Sequence, residues 1–258
     1  MKKHFALLCL LIFTLSACQK EELLLVTTTS VENSGLIEYL IPYFEADTGI
    51  NVKVVAVGTG AALNYGRNGQ ADILLVHDTE RELKFIDDGY GEKRVLLMYN
   101  DFILVGPESL EQNALEAALN TLANNHTFYS RGDASGTHAR EQLLWAHFSI
   151  DIDKFNDRYK ETGQSMESTL MMASIKQHYT LTDRGTFLAM KDNLDLVIAF
   201  ENDSLLRNDY GLIKVHPIQH GRDDTYAEIF YDWMQSSSTK NLIRNFTKKG
   251  EPLFHPYE

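Results

Sequence analysis

A chain of 258 residues with 36 acidic and 24 basic side chains carries a formal charge of −12. That length suffices for one two-lobed unit or two small domains, and the acidic balance excludes a broad basic surface for nucleic acid. The two cysteines, Cys9 and Cys18, both stand near the N-terminus, so the body of the chain offers no thiol for a disulfide, a metal site or a nucleophile.

Lys2 and Lys3 precede the apolar stretch Phe5 to Thr14, and Leu15-Ser16-Ala17-Cys18 has the form of a bacterial lipobox. The apolar run is too short to span a membrane and reads as a signal peptide over residues 1–17. Cleavage would leave Cys18 at the new N-terminus for lipid attachment, with residues 18–22 as a polar tether. Loss of the two lysines would take the formal charge to −14.

Strand and helix patterns then alternate. Leu23-Leu24-Leu25-Val26 reads as a buried strand, followed at once by Thr27-Thr28-Thr29-Ser30 and by Leu36, Tyr39, Leu40, Tyr43 and Phe44 at helical spacing. The spacing puts a Ser/Thr cap, Thr29 or Ser30, on a strand-to-helix turn. Asn51 to Val57 is a second strand, turning through Gly58-Thr59-Gly60 into a helix. Ala71 to Val76 is a continuous apolar strand, as a parallel sheet covered on both faces requires, and it ends at His77-Asp78. Val95 to Tyr99 and Phe102 to Val105 read as two more strands. Helices are expected over Leu110 to Asn124, Thr137 to Phe148, Asp153 to Thr162 and Ser168 to Gln177. Leu194 to Ala199 fits strand or helix, Leu212 to Val215 returns to strand, and Tyr226 to Ser236 and Asn241 to Phe246 close the chain as helices. This alternation indicates an α/β fold. Residues 23–100 with 208–258 form one lobe and 101–207 the other, with two hinge crossings between them.

The chemistry concentrates in Ser130-Arg131-Gly132-Asp133-Ala134-Ser135-Gly136-Thr137-His138, placed directly before an amphipathic helix. A helix start presents unpaired N–H groups and a partial positive charge, which suits an anion. Gly136 permits close backbone approach, Ser135 and Thr137 add hydroxyl donors, and Arg131 adds a planar charged fork. The plainer alternative is Ser135 as an ordinary N-cap with Arg131 on the surface. Two hydroxyl-rich helix starts far apart in sequence suggest one anion gripped from two sides.

Taken in order, Thr27-Thr28-Thr29-Ser30, Val57-Gly58-Thr59-Gly60, Ala71-Asp72 leading to Val76-His77, Ser130 to His138, and Thr182-Asp183-Arg184-Gly185 resemble the tungstate-binding (Tup-type) receptors of ABC transporters. The wider oxyanion-receptor superfamily shares the Arg, then Ser-Gly-Thr, spacing. The resemblance implies a two-lobed periplasmic-binding-protein fold of type II-like form. It also implies a monomeric, lipid-anchored receptor in the bacterial periplasm or at the cell surface, which closes on tungstate or molybdate without a cofactor and passes it to a membrane permease. Its ligand residues would be Thr28, Thr29, Ser30, Thr59, Gly60, Arg131, Ser135, Gly136, Thr137 and Arg184. For Arg184 the alternative is a pairing with Asp183 that braces the loop. His77 stands where phosphate receptors carry an acid able to accept a ligand proton, or it only hydrogen-bonds the neighbouring loop; Asp78 leaves the argument against phosphate open.

Molybdate, sulfate and phosphate receptors are the rivals within the binding class. A hydrolase built on Ser135 with His138 or His77 lacks a Gly-x-Ser-x-Gly elbow after a strand, and no carboxylate pair is marked by context. An adhesin reading of Arg131-Gly132-Asp133 requires an exposed arginine, against the expectation of a cleft.

Overall fold

The computed structural model describes residues 22–258 apart from Ala134, His220 and Arg222; the expected signal peptide and Cys18 lie outside the described residues. The first half runs β1 (Glu22–Thr28), α1 (Thr29–Ser34), α2 (Leu36–Thr48), β2 (Asn51–Val57), α3 (Thr59–Arg67), β3 (Ile73–Val76), α4 (Thr79–Asp87) and β4 (Gly91–Gly106). It continues with α5 (Leu115–Asn125), β5 (Phe128–Ser130), α6 (Gly136–His147), β6 (Tyr159–Glu161), α7 (Met166–Lys176), β7 (Tyr179–Asp183), α8 (Arg184–Met190) and β8 (Val197–Phe200). Strand β9 (Arg207–Val215) and helices α9 (Thr225–Gln235) and α10 (Ser237–Asn245) return the chain to the first half. Among the described residues no helix is long and apolar enough to cross a membrane.

The sheet order is β2-β1-β3-β9-β4-β7-β5-β6. The apolar run of β1 lies parallel between β2 and β3, with Val26 opposite Val55 and Leu25 opposite Ile73, and Leu23, Leu25 and Val26 are fully buried. Burial of both faces explains why that strand reads as unbroken Leu and Val. Strand β9 is antiparallel to β3 and β4, whereas β5 is parallel to β6 and β7.

Strand β4 joins the halves. Its first two-thirds pair with β9 and its last third with β7 and β8. The expected break between two strands is absent because Asn100 and Asp101 stay in the ladder, opposite Asn208 and Arg207. The Asn208 side-chain amide donates to Asn100 Oδ1 at 2.9 Å, so the polar pair is satisfied inside the sheet rather than in a turn. Other boundaries shift as well. The expected helix over Asp153 to Thr162 is a 3₁₀ segment, Ile152–Arg158, interrupted at Asn156 (φ 52°) and followed by β6. Helix α5 starts only at Leu115, because the Leu110 amide donates instead to the Ala199 carbonyl. Leu194 to Ala199 resolves into a loop leading to β8.

One apolar core is shared, running from Leu40, Phe44 and Phe230 of the first half to Met166, Leu170 and Phe187 of the second. On the opposite face the halves pack separately. Leu63 of α3 and Phe85 of α4 pack with Val26 and Leu74, while Leu119 of α5 and Trp145 of α6 pack with Leu104 and Phe128. The fold is thus a two-lobed α/β architecture whose lobes share one face and part on the other.

Candidate functional site

A cleft of about 530 Å³ lies between the lobes. Its wall is built almost entirely from the places where a strand or loop gives way to a helix. Thr28, Thr29 and Ser30 come from the β1–α1 junction, and Gly58, Thr59 and Gly60 from β2–α3. His77 and Asp78 come from β3–α4, and Arg131, Ser135, Gly136 and Thr137 from the β5–α6 connection. Ser165 and Met166 start α7, and Asp183 and Thr186 start α8. Six helix starts therefore face one space, each bringing backbone N–H groups and the positive end of its peptide dipoles.

The caps divide these starts into two kinds. Asp78 accepts from the Arg81 amide at 3.1 Å, and Asp183 accepts from the Thr186 amide at 2.8 Å and its hydroxyl at 2.7 Å. Those two helices have already placed a carboxylate on their own termini. The other four are not capped by a carboxylate: Ser135 and Ser165 cap with hydroxyls, each accepting an amide at 3.3 Å, with Asp133 holding the amide of Ser135 itself, and Thr28 and Gly58 make no side-chain cap. The cap of α1 is therefore Thr28 rather than Thr29 or Ser30, which leaves the latter two in the first turn. Thr27 belongs to the sheet, where its hydroxyl donates to the Leu75 carbonyl at 2.9 Å.

Arg131 leaves the end of β5 and enters the cleft. The next residue, Gly132, has φ 59°, and a Cβ there would lie 2.6 Å from Glu161 Cβ, so only glycine fits this turn without strain. The Arg131 guanidinium pairs with Asp133, whose carboxylate also accepts from the Ser135 amide at 3.1 Å. Burial pushes the Asp133 carboxyl up, but the hydrogen bonds from Ser135 and the pairing with Arg131 outweigh it and hold the group below the usual carboxylate range. Arg131 Nε is buried with no hydrogen-bond partner among the described residues. Arg131 and Asp133 thus face each other, a geometry unsuited to an exposed adhesion motif.

Nine of the ten residues expected from sequence line this cleft; Arg184 does not. It is buried in a knot of carboxylates, pairing with Glu201, with Asp101 at 3.5 Å and with Glu251 at 3.9 Å. Three acids around one guanidinium leave no net positive charge to offer an anion. The bracing alternative therefore describes Arg184, although its partners are these three acids and not the adjacent Asp183.

His77 bonds to two groups at the base of the cleft. Its Nε2 is 3.3 Å from Ser30 Oγ and its Nδ1 is 3.2 Å from Asn208 Oδ1. Burial pushes the imidazole below its ordinary range, against the opposing pull of Asn208, Asp183 and Asp78. Several further lining residues, Asn33, Arg81, Phe102, Ser165, Glu167, Asn208 and Tyr210, were not marked by any motif. Only Ser165 had a usable signal: a serine directly before the apolar positions Met166, Leu170 and Ala173, three residues earlier than the expected helix start. Among the described residues no group of three or more His, Cys, Asp or Glu side chains is placed to hold a metal ion.

Comparison with known proteins follows the same lines. The PBP superfamily domain matches residues 16–238. The tungstate-binding protein TupA of Peptoclostridium acidaminophilum is 44% identical over 92% of this chain and 86% of its own length. The solved tungstate-binding protein TupA of Desulfovibrio alaskensis superposes with a TM-score of 0.85 at 40% identity, covering 91% of this chain and 98% of that one. The tungstate ABC transporter structure from Geobacter sulfurreducens gives a TM-score of 0.76 at 38% identity, covering 88% of this chain and 99% of that one. The chain therefore belongs to the PBP superfamily and, within it, to the family of the TupA tungstate-binding proteins.

Proposed function

We propose that this protein is the solute-binding component of an ABC importer, capturing tungstate between its lobes and delivering it to a membrane permease. The observation that carries the reading is the convergence of four helix starts free of carboxylate caps, with Arg131, on one cleft. A tetrahedral dianion has four acceptor oxygens and no proton at neutral pH, so its site must consist of donors. Thr28, Thr29, Ser30, Thr59, Ser135 and Thr137 supply hydroxyls, Gly60 and Gly136 allow close backbone approach, and Arg131 supplies a charge that desolvation cannot remove. Charge-assisted hydrogen bonds contribute roughly 1.5–3 kcal/mol each, and six to eight of them reach the roughly 12 kcal/mol of a nanomolar complex after ordering costs.

Hydrogen phosphate needs an acceptor for its proton. The carboxylates of Asp78 and Asp183 spend part of their acceptor capacity on their own helices, and Glu167 stays on the exposed rim. Molybdate matches tungstate in shape and size and is the second reading. The lobes, residues 23–100 with 208–258 and 101–207, would close about the β4 and β9 crossings, since one small ion satisfies both Thr28–Ser30 and Ser135–Thr137 only when they approach. Lipid on Cys18 would hold the receptor beside its permease on the outer side of the membrane. No bond is made or broken in this cycle.

Titration calorimetry with tungstate, molybdate, sulfate and phosphate tests the reading. Tungstate and molybdate should bind and displace one another, with sulfate and phosphate far weaker. Preference for phosphate, or no heat with any of the four, would overturn it.

A further inference from the structure

The base of the cleft holds a chain of polar groups that runs from the hydroxyl cluster to the strand crossing. Thr28 Oγ1 lies 3.0 Å from Ser30 Oγ, which lies 3.3 Å from His77 Nε2. His77 Nδ1 is 3.2 Å from Asn208 Oδ1, and Asn208 Nδ2 donates to Asn100 Oδ1 at 2.9 Å and to the Tyr210 hydroxyl at 3.0 Å. The direction of the chain follows from counting hydrogens. Both amide hydrogens of Asn208 are used on Asn100 and Tyr210, so its oxygen faces His77, and Nδ1 is the nitrogen that bears a hydrogen. A neutral His77 then presents a bare Nε2 to Ser30. The Ser30 hydroxyl gives its one hydrogen to the imidazole and has none for an anion.

Protonation reverses that last link. With hydrogens on both nitrogens, Nδ1 still donates to Asn208 while Nε2 donates to Ser30 Oγ, and the Ser30 hydroxyl hydrogen is freed for the cleft, with Thr28 Oγ1 and the Tyr210 hydroxyl as its competing acceptors. A second gain is charge: Arg131 is shared with Asp133, so a dianion is incompletely balanced by the arginine alone. The other groups facing His77 are Asp78 on its own loop, Asp183 at the start of α8, Arg140 on α6, and Tyr210, whose ring lies 5.0 Å from the imidazole. The two carboxylates favour the imidazolium and Arg140 opposes it. The start of α6 stands beside the imidazole: a Cβ on Gly136 would lie 3.6 Å from His77 Cε1, an ordinary contact distance. His77 therefore bonds to Ser30 and Asn208 of one lobe and stands beside the start of α6 in the other.

We infer that His77 takes up one proton from solvent as the oxyanion binds and releases it as the anion leaves, acting as a positioning residue that turns Ser30 from acceptor-facing to anion-facing. The inference rests on the oxyanion reading above. By linkage, affinity must then rise as pH falls between the His77 titration in the bound protein and that in the free protein, where burial holds it low.

Titration of tungstate into the wild-type protein at about pH 7, in buffers of differing ionisation enthalpy, reads the proton directly. The apparent enthalpy should change linearly with buffer enthalpy, with a slope of the sign that reports net proton uptake. Affinity should rise as pH falls, by at most about tenfold per unit of pH. His77→Gln keeps a donor toward Ser30 but cannot charge, so it should bind with no uptake and a flat pH profile. Binding without buffer dependence in the wild type, or uptake that persists in His77→Gln, would overturn the inference while leaving the oxyanion reading intact. No binding of tungstate in any buffer would overturn both.

Discussion

Arg131 and Arg184 stand at equivalent places in the fold, and only one of them enters the cleft. Each follows a buried strand, β5 and β7, which lie side by side and parallel in the sheet, and each is followed by glycine. After Arg131 the chain takes a left-handed turn at Gly132 and travels to Ser135 before α6 begins; after Asp183 it enters α8 at once with Arg184 as the first helical residue. The detour aims one guanidinium into the cleft with a single carboxylate beside it. The direct entry sends the other among Asp101, Glu201 and Glu251. Arg131 keeps a buried Nε without a hydrogen-bond partner among the described residues, whereas Arg184 is surrounded by three carboxylates.

The largest effect should come from Arg131. Removing one partner of a desolvated charge pair costs about 2–5 kcal/mol, so Arg131→Ala should weaken tungstate binding by roughly tens- to thousands-fold. Arg131→Lys should recover only part of this, because the fork is lost. Unchanged calorimetric affinity in folded Arg131→Ala would end the distinction between the two arginines. Arg184→Ala should do the opposite, lowering stability by about 1–3 kcal/mol, between the values for surface and buried pairs, with affinity nearly preserved. Denaturant unfolding beside calorimetry separates the two effects, and a greater loss of binding than of stability would contradict the bracing role.

Gly132→Ala sharpens the comparison from the backbone side. A positive φ and the contact with Glu161 should cost about 1–3 kcal/mol and shift Arg131 out of register. Affinity should fall although no ligand-facing atom changes, whereas the same substitution at Gly49 (φ 73°, with nothing near its Cβ) should affect stability alone. Ser135→Ala removes the α6 cap at a cost of about 1 kcal/mol and, in the complex, one donor to the anion worth roughly 1.5–3 kcal/mol; thermal unfolding with and without tungstate should show the ligand-bound form losing more than the free form.

Much of this was legible in sequence because local signals and the fold agree. Unbroken apolar runs marked the buried strands, and hydroxyl clusters marked two of the helix starts at the cleft, at Thr28–Ser30 and Ser135–Thr137. The misreadings share one cause, which is that partners distant in sequence decided the outcome. Asn100 and Asp101 looked like a strand break, yet residues of β9 satisfy them. Arg184 looked like a second ligand beside Asp183, while its paired acids Asp101 and Glu201 lie 83 and 17 residues away. Asn208 and Tyr210 carried no motif because they act through a strand crossing that no local pattern announces.

A crystal structure of the protein with tungstate, with the metal located by its anomalous scattering, tests the central claim most directly. The account predicts one tungsten position in the cleft, its oxygens within hydrogen-bond distance of Arg131 and of both the Thr28–Ser30 and Ser135–Thr137 starts. An anion held by only one of these two clusters, or seated beside Arg184, would contradict it.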